Sequence, residues 1–113
     1  MSSAFGSFSE FYPYYLSEHA SPLNRALHFT GTLLVIALAG VASWRGEPRL
    51  LWALPVAGYG FAWVGHFVVE RNRPATFRHP LWSLMGDFRM FVDMLRGRVS
   101  WTDRLPARDP PLS

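Results

Sequence analysis

Residues 27–69, LHFTGTLLVIALAGVASWRGEPRLLWALPVAGYGFAWVGHFVV, decide the fold of this chain. They hold two apolar runs, 27–44 and 50–69, joined by the polar turn RGEPR at 45–49. From Leu33 to Ala42 no side chain is polar, and the second run carries one proline, three glycines and His66. A membrane-crossing helix needs about 17–25 mostly apolar residues, so both runs are long enough. Trp44 and Trp52 stand where an interfacial aromatic belt would lie. The pattern predicts an all-α fold built on a two-span membrane hairpin. A buried hairpin inside a soluble bundle is the competing reading. Against it, a chain of 113 residues with 50% hydrophobic and 17% charged residues has too little interior to hide its apolar surface.

Outward from the hairpin, both flanks read as amphipathic helices. SSAFGSFSEFYPYYLSEHA, residues 2–20, is aromatic and weakly amphipathic, and suits a short interfacial helix broken at Pro13. It has neither a basic start nor a continuous apolar centre, so no cleavable signal peptide is expected. At SPLNRALHF, residues 21–29, Ser21 can cap a helix whose first turn accepts Pro22. After the second run, Pro74 and Pro80 frame a loop. LWSLMGDFRMFVDMLRGRV, residues 81–99, then places Leu81, Leu84, Met85, Phe88, Phe91, Val92 and Leu95 at helical spacing, as for a helix lying on the bilayer or against the hairpin. Residues 1–100 thus form one membrane-embedded domain, and the proline-rich 101–113 a disordered tail. Arg45 and Arg49 lie in the turn, whereas Arg25, Arg71, Arg73, Arg78 and Arg89 lie near the open end. The positive-inside rule then puts both termini in the cytoplasm, whether the membrane is a bacterial inner membrane or the endoplasmic reticulum.

Several chemistries are excluded. Without cysteine there is no thiolate ligand, disulfide or cysteine nucleophile. All 11 basic residues are arginines, but they flank apolar runs and form no dense tract. Lipid headgroups fit them better than nucleic acid. No HExxH, closely spaced histidine box, GxGxxG, Walker loop or nucleophile elbow occurs. Gly58, Gly60 and Gly65 read as a close helix-packing face.

The histidines carry the remaining signal: His19, His28, His66 and His79. His28 lies 19 residues before Glu47, the centre of the turn, and His66 lies 19 residues after it. Two antiparallel helices place equidistant residues at equal depth, here about 28 Å from the turn at roughly 1.5 Å per residue. Asn24 and Glu70 match in the same way, 23 residues on either side. Asn24 with His28, and His66 with Glu70, are spaced i,i+4 and share a face. His19 precedes Pro22, so it can fold back over the pair, and His79 is a weaker candidate from a loop. Imidazoles without thiolates suit iron, zinc, copper or nickel. Two other readings stay open: a non-catalytic membrane scaffold held by its polar cluster, and haem bound between His28 and His66.

YLSEHASPLNRALHFTGT (15–32) and GYGFAWVGHFVVERNRPATFRHPLWSLMGDF (58–88) cover nearly half of the chain. Their His–Pro–Asn–His order, followed by Gly-His-x-x-x-Glu and Arg-Pro-Ala, is similar to the signature blocks of a small membrane family. That family includes the fungal 2-hydroxy-fatty-acid dioxygenase of phytosphingosine degradation, an endoplasmic-reticulum protein longer than this chain. The resemblance implies an iron(II)-dependent dioxygenase of fatty-acid α-oxidation, with zinc or another divalent metal as the alternative ion. The family histidines fall on His19, His28 and His66; the position of His79 often holds another residue. Glu70 and Asn24 beside them are candidate catalytic groups, Glu70 orienting an imidazole or accepting the proton of the substrate hydroxyl. Arg25, Arg71 and Arg73 are candidate clamps for the substrate carboxylate, or anchors to lipid phosphates. The implied partners are membrane lipid, a 2-hydroxy fatty acid and dioxygen.

Overall fold

Ser21 starts the hairpin as its side chain predicts. Its hydroxyl accepts the Leu23 N–H at 3.2 Å, Pro22 takes the first helical position, and α2 runs from Pro22 to Arg45. Gly46 ends it in the left-handed conformation at φ 64°, where a Cβ would be penalised. In the computed structural model, which describes residues 5–73 and 78–106, the return arm changes helical type twice. Pro48–Trp52 is a 3-10 turn, Ala53–Trp63 is α3, and Val64–Glu70 is a π turn. The flanks are α1 (Phe8–Ser17) and α4 (Pro80–Leu95); among the described residues there is no strand.

The two arms pack where side chains are smallest. A Cβ on Gly31 would stand 3.1 Å from Phe61 Cβ and 3.2 Å from the Ala57 carbonyl, and one on Gly65 would run into Asn24. Gly58 is only in ordinary contact with Val35, and Gly60 faces open space. The glycine face predicted at 58, 60 and 65 is therefore made by Gly31 and Gly65. Both arms are long and apolar enough to cross a membrane, with only 22% and 11% of their apolar windows buried. The core helix of a soluble bundle would be largely covered. Here Ile36, Val56, Val64 and Val68 face outward, and Trp44 and Trp52 beside the turn are 87% and 81% exposed.

The buried core lies between α1 and α4, where Phe11, Tyr12, Tyr15, Met90 and Met94 pack with Phe5 and Val99. The Tyr12 hydroxyl donates to Asp93 Oδ2 at 2.7 Å, and Arg89 Nε donates to the same oxygen at 3.1 Å. One expectation is corrected. Pro13 does not break the first helix, which continues through it. The carbonyl that loses its partner belongs to exposed Ser9, open to solvent, while Phe11, Tyr12 and Tyr15 bury the opposite face. In α4 the buried face is Ser83, Gly86, Met90, Asp93 and Met94, and most of the apolar stripe points outward, which fits the first of its two expected placements, on the bilayer. Of that stripe, Phe91 stacks on Phe29 with ring centroids 4.5 Å apart.

Beyond α4, Leu105 N–H bonds to the Ala20 carbonyl, 3.0 Å away. The Pro74 end of the expected loop and residues 107–113 of the expected tail lie outside the described residues.

Candidate metal centre

Three elements deliver three histidines to one point. His19 sits in the joint between α1 and α2, His28 on α2, and His66 on the π turn. His19 Nε2 lies 3.0 Å from His28 Nε2 and 3.1 Å from His66 Nε2, and the three rings are 5%, 2% and 1% exposed for His28, His66 and His19 respectively. The matched depths counted from the turn are observed. The His28 and His66 rings are 4.9 Å apart, and Asn24 Nδ2 donates to Glu70 Oε2 at 3.1 Å.

The other nitrogen of each ring fixes its proton. His19 Nδ1 lies 2.7 Å from the Tyr15 carbonyl, and His28 Nδ1 lies 3.1 Å from the Asn24 carbonyl. Carbonyl oxygens only accept, so both Nδ1 atoms carry hydrogen and both neutral rings present bare Nε2 lone pairs. The Tyr15 carbonyl, in the last turn of α1, also accepts the Glu18 N–H at 3.1 Å and offers its second lone pair to His19. His66 Nδ1 is 2.7 Å from Asn72 Oδ1, which gives the same tautomer. Asn72 is held in turn by its Nδ2 hydrogen bond to the Glu18 carbonyl at 3.1 Å. Burial, reinforced by His28 and His66, holds His19 well below its ordinary pKa, so it stays neutral. Three lone pairs converging at this distance repel one another unless a cation sits among them. The donor set therefore fits a metal ion: three buried imidazoles with ligand atoms all within 4.8 Å of one another.

The remaining predicted site residues are placed as follows. Glu70 Oε2 accepts from the Ser21 N–H at 2.8 Å as well as from Asn24, tying the start of α2 to the π turn. Asn24 Oδ1 is buried against Gly65 with no hydrogen-bond partner among the described residues. Arg25, expected as a carboxylate clamp, is instead fully buried and committed to backbone. Nη1 donates to the His19 and Ala20 carbonyls, each at 2.8 Å, Nε to Ser100 at 3.0 Å, and Nη2 to Asp103. It fixes the peptide that carries His19. Arg71 and Arg73 are exposed, and Arg71 turns the chain at φ 60° so that Asn72 comes back under His66. His79 does not join the cluster; it precedes α4 and packs on Phe11 and Trp82, 5.1 and 5.6 Å away. Asn72 was missed because a residue six places beyond His66 shares no face with it on an α-helix.

The centre opens into a cavity of about 210 Å³. Val35, Leu54, Gly58, Tyr59 and Ala62 of the hairpin form one wall, and Ser83, Leu84 and Asp87 of α4 another. Haem between His28 and His66 is not accommodated, because His19 Nε2 lies against both rings.

A family model described as "2-hydroxy-palmitic acid dioxygenase Mpo1-like" matches residues 5–99. No curated protein and no solved structure gives a significant match. The chain belongs to the Mpo1-like family.

Proposed function

We propose that this member of the Mpo1-like family is a non-haem iron(II) dioxygenase that shortens 2-hydroxy fatty acids by one carbon. The observation that carries the reading is the convergence of three bare Nε2 atoms, 3.0 and 3.1 Å from His19 to its neighbours, at the end of an apolar-walled cavity. His19, His28 and His66 would hold the ion and leave room for a bidentate substrate and dioxygen. Iron(II) there would pass to dioxygen the four electrons released when RCH(OH)COOH becomes RCOOH, carbon dioxide and water, with no need for 2-oxoglutarate or a second reductant.

The chain's own residues bind and orient. The acyl chain runs along Val35, Leu54, Gly58 and Ala62, toward the turn of the hairpin. Because the hairpin's outer surface is apolar, this groove lies within the bilayer, and a lipid-borne acid reaches it without crossing water. Asn72 and the Tyr15 and Asn24 carbonyls set the imidazole tautomers, and Glu70 holds the arms in register. Arg71 and Arg73 are not among the residues lining the cavity, and Arg71 is exposed where lipid phosphates would meet it.

The test is metal analysis of anaerobically purified protein followed by turnover. Iron-loaded protein with 2-hydroxypalmitic acid and oxygen should yield pentadecanoic acid and carbon dioxide, while palmitic acid stays inert. His28→Ala should remove most of the metal, and His79→Ala little. Iron-replete protein that shortens no 2-hydroxy acid would overturn the substrate class; a metal-retaining His28→Ala would overturn the centre.

A further inference from the structure

Opposite the histidines the cavity wall is polar. Ser83 and Asp87 stand four residues apart on α4, so both face the cavity that His19, His28 and His66 close. Ser83 is 3% exposed, and its Oγ has no hydrogen-bond partner among the described residues. Asp87 Oδ1 accepts from the Tyr15 hydroxyl, while Oδ2 takes no hydrogen bond from any described residue. The Tyr15 ring is stacked on His19, with centroids 4.1 Å apart. Gly86 permits this approach, because a Cβ there would stand 2.9 Å from the Tyr15 ring. Among the described residues Asp87 is the one carboxylate on the cavity wall; Glu70 lies off it with Oε2 already engaged.

We propose that Asp87 accepts the proton of the substrate's 2-hydroxyl, and that Ser83 holds the same end of the substrate by a hydrogen bond. The proposal rests on the substrate reading above. The substrate O–H bond breaks, the proton passes to Asp87 Oδ2, and the electron pair stays on the substrate oxygen, which faces the histidines. A plain fatty acid offers this pair no hydroxyl, so the same two residues select the 2-hydroxy acid. Tyr15 is a positioning residue: it fixes the rotamer of Asp87 with its hydroxyl and the plane of His19 with its ring. Burial raises the Asp87 carboxyl to about 7, with the Tyr15 hydrogen bond opposing, so it exchanges protons readily near neutrality. The titratable groups that line the cavity with it are Tyr15 from α1, His19 from the joint, His28 from α2, Tyr59 from α3 and His66 from the π turn.

Asp87→Asn keeps an acceptor for Tyr15 and loses the proton acceptor. Its iron content should match the wild type, with kcat lowered about 100-fold or more. Anaerobic binding supplies a second readout. The preference for 2-hydroxypalmitic over palmitic acid should fall about tenfold in Ser83→Ala and in Asp87→Asn. Ser83→Ala removes an atom with no partner to lose, so it keeps the test decisive if Asp87→Asn does not fold. Wild-type turnover in iron-loaded Asp87→Asn, loss of its iron, or an unchanged binding preference in both variants would overturn the assignment. Wild type that binds the hydroxy acid preferentially and makes no product would overturn the reaction while leaving the subsite; equal binding of the two acids would overturn the subsite.

Discussion

Gly65 shows how single atoms decide this site. The nearest obstacle to a Cβ at that position is Asn24 Oδ1, only 1.7 Å away. Gly65→Ala must therefore expel the Asn24 side chain, which breaks its bond to Glu70 and shifts the helix whose next turn carries His28. Such overpacking costs about 1–3 kcal/mol, and bound metal should fall with it. Gly60→Ala is the control: nothing lies within 4 Å of its Cβ, and alanine is the better helix former by about 1 kcal/mol. Thermal unfolding and metal content of the two variants check the contrast; equal metal in both would mean that Asn24 does not position the centre. At this scale much was legible. Counting from Glu47 paired His28 with His66 and Asn24 with Glu70, because depth along two antiparallel helices depends only on residue number. Arg25 was misread, since an arginine beside a span looks the same whether it meets phosphate or backbone carbonyls. Four carbonyls from two separate segments converge on it only after folding.

Helix α4 has an apolar stripe that could lie on the bilayer or against the hairpin, and it points outward. Leu81, Leu84, Phe88, Val92 and Leu95 are 40–66% exposed, while Ser83, Gly86 and Asp93 are buried. Periodicity reports that a helix has two faces without saying which solvent each meets, and near a bilayer the apolar face can meet lipid. The π turn was equally unreadable: its wider winding changes which residues share a face, and no local propensity announces it. The orientation of α4 is directly testable because the chain has no cysteine. Leu84→Cys and Phe88→Cys, reconstituted in liposomes, should react with a water-soluble maleimide far more slowly than Arg49→Cys in the hairpin turn. A rise of one pKa unit for a thiol in an apolar setting already slows it about tenfold at neutral pH. Labelling at the rate of the turn would show that the stripe faces water and that α4 is not laid on lipid.

Across the whole molecule, the cluster lies at the open end of the hairpin and the exposed tryptophans lie at the closed end, so the two membrane faces are unlike. The arginine count that orients the chain changes once the structure is known. Arg25 is buried and answered by carbonyls, which removes it as a headgroup contact. Arg71, Arg78 and Arg89 remain exposed beside the open end, and the turn offers Arg49 together with Arg45, whose charge is shared with Glu47 at 3.4 Å. The bias therefore survives without Arg25, and we propose on the positive-inside rule that the open end faces the cytoplasm. A reporter fused after Ser113 should be active in its cytoplasmic form and silent in its exported form, and a tag before Met1 should behave alike. Substituting Arg71 and Arg78 by glutamine should weaken the orientation, while Arg25→Gln should reduce folded protein without inverting it. An exported signal from the wild-type fusion would reverse the membrane faces and place the histidines on the outer side.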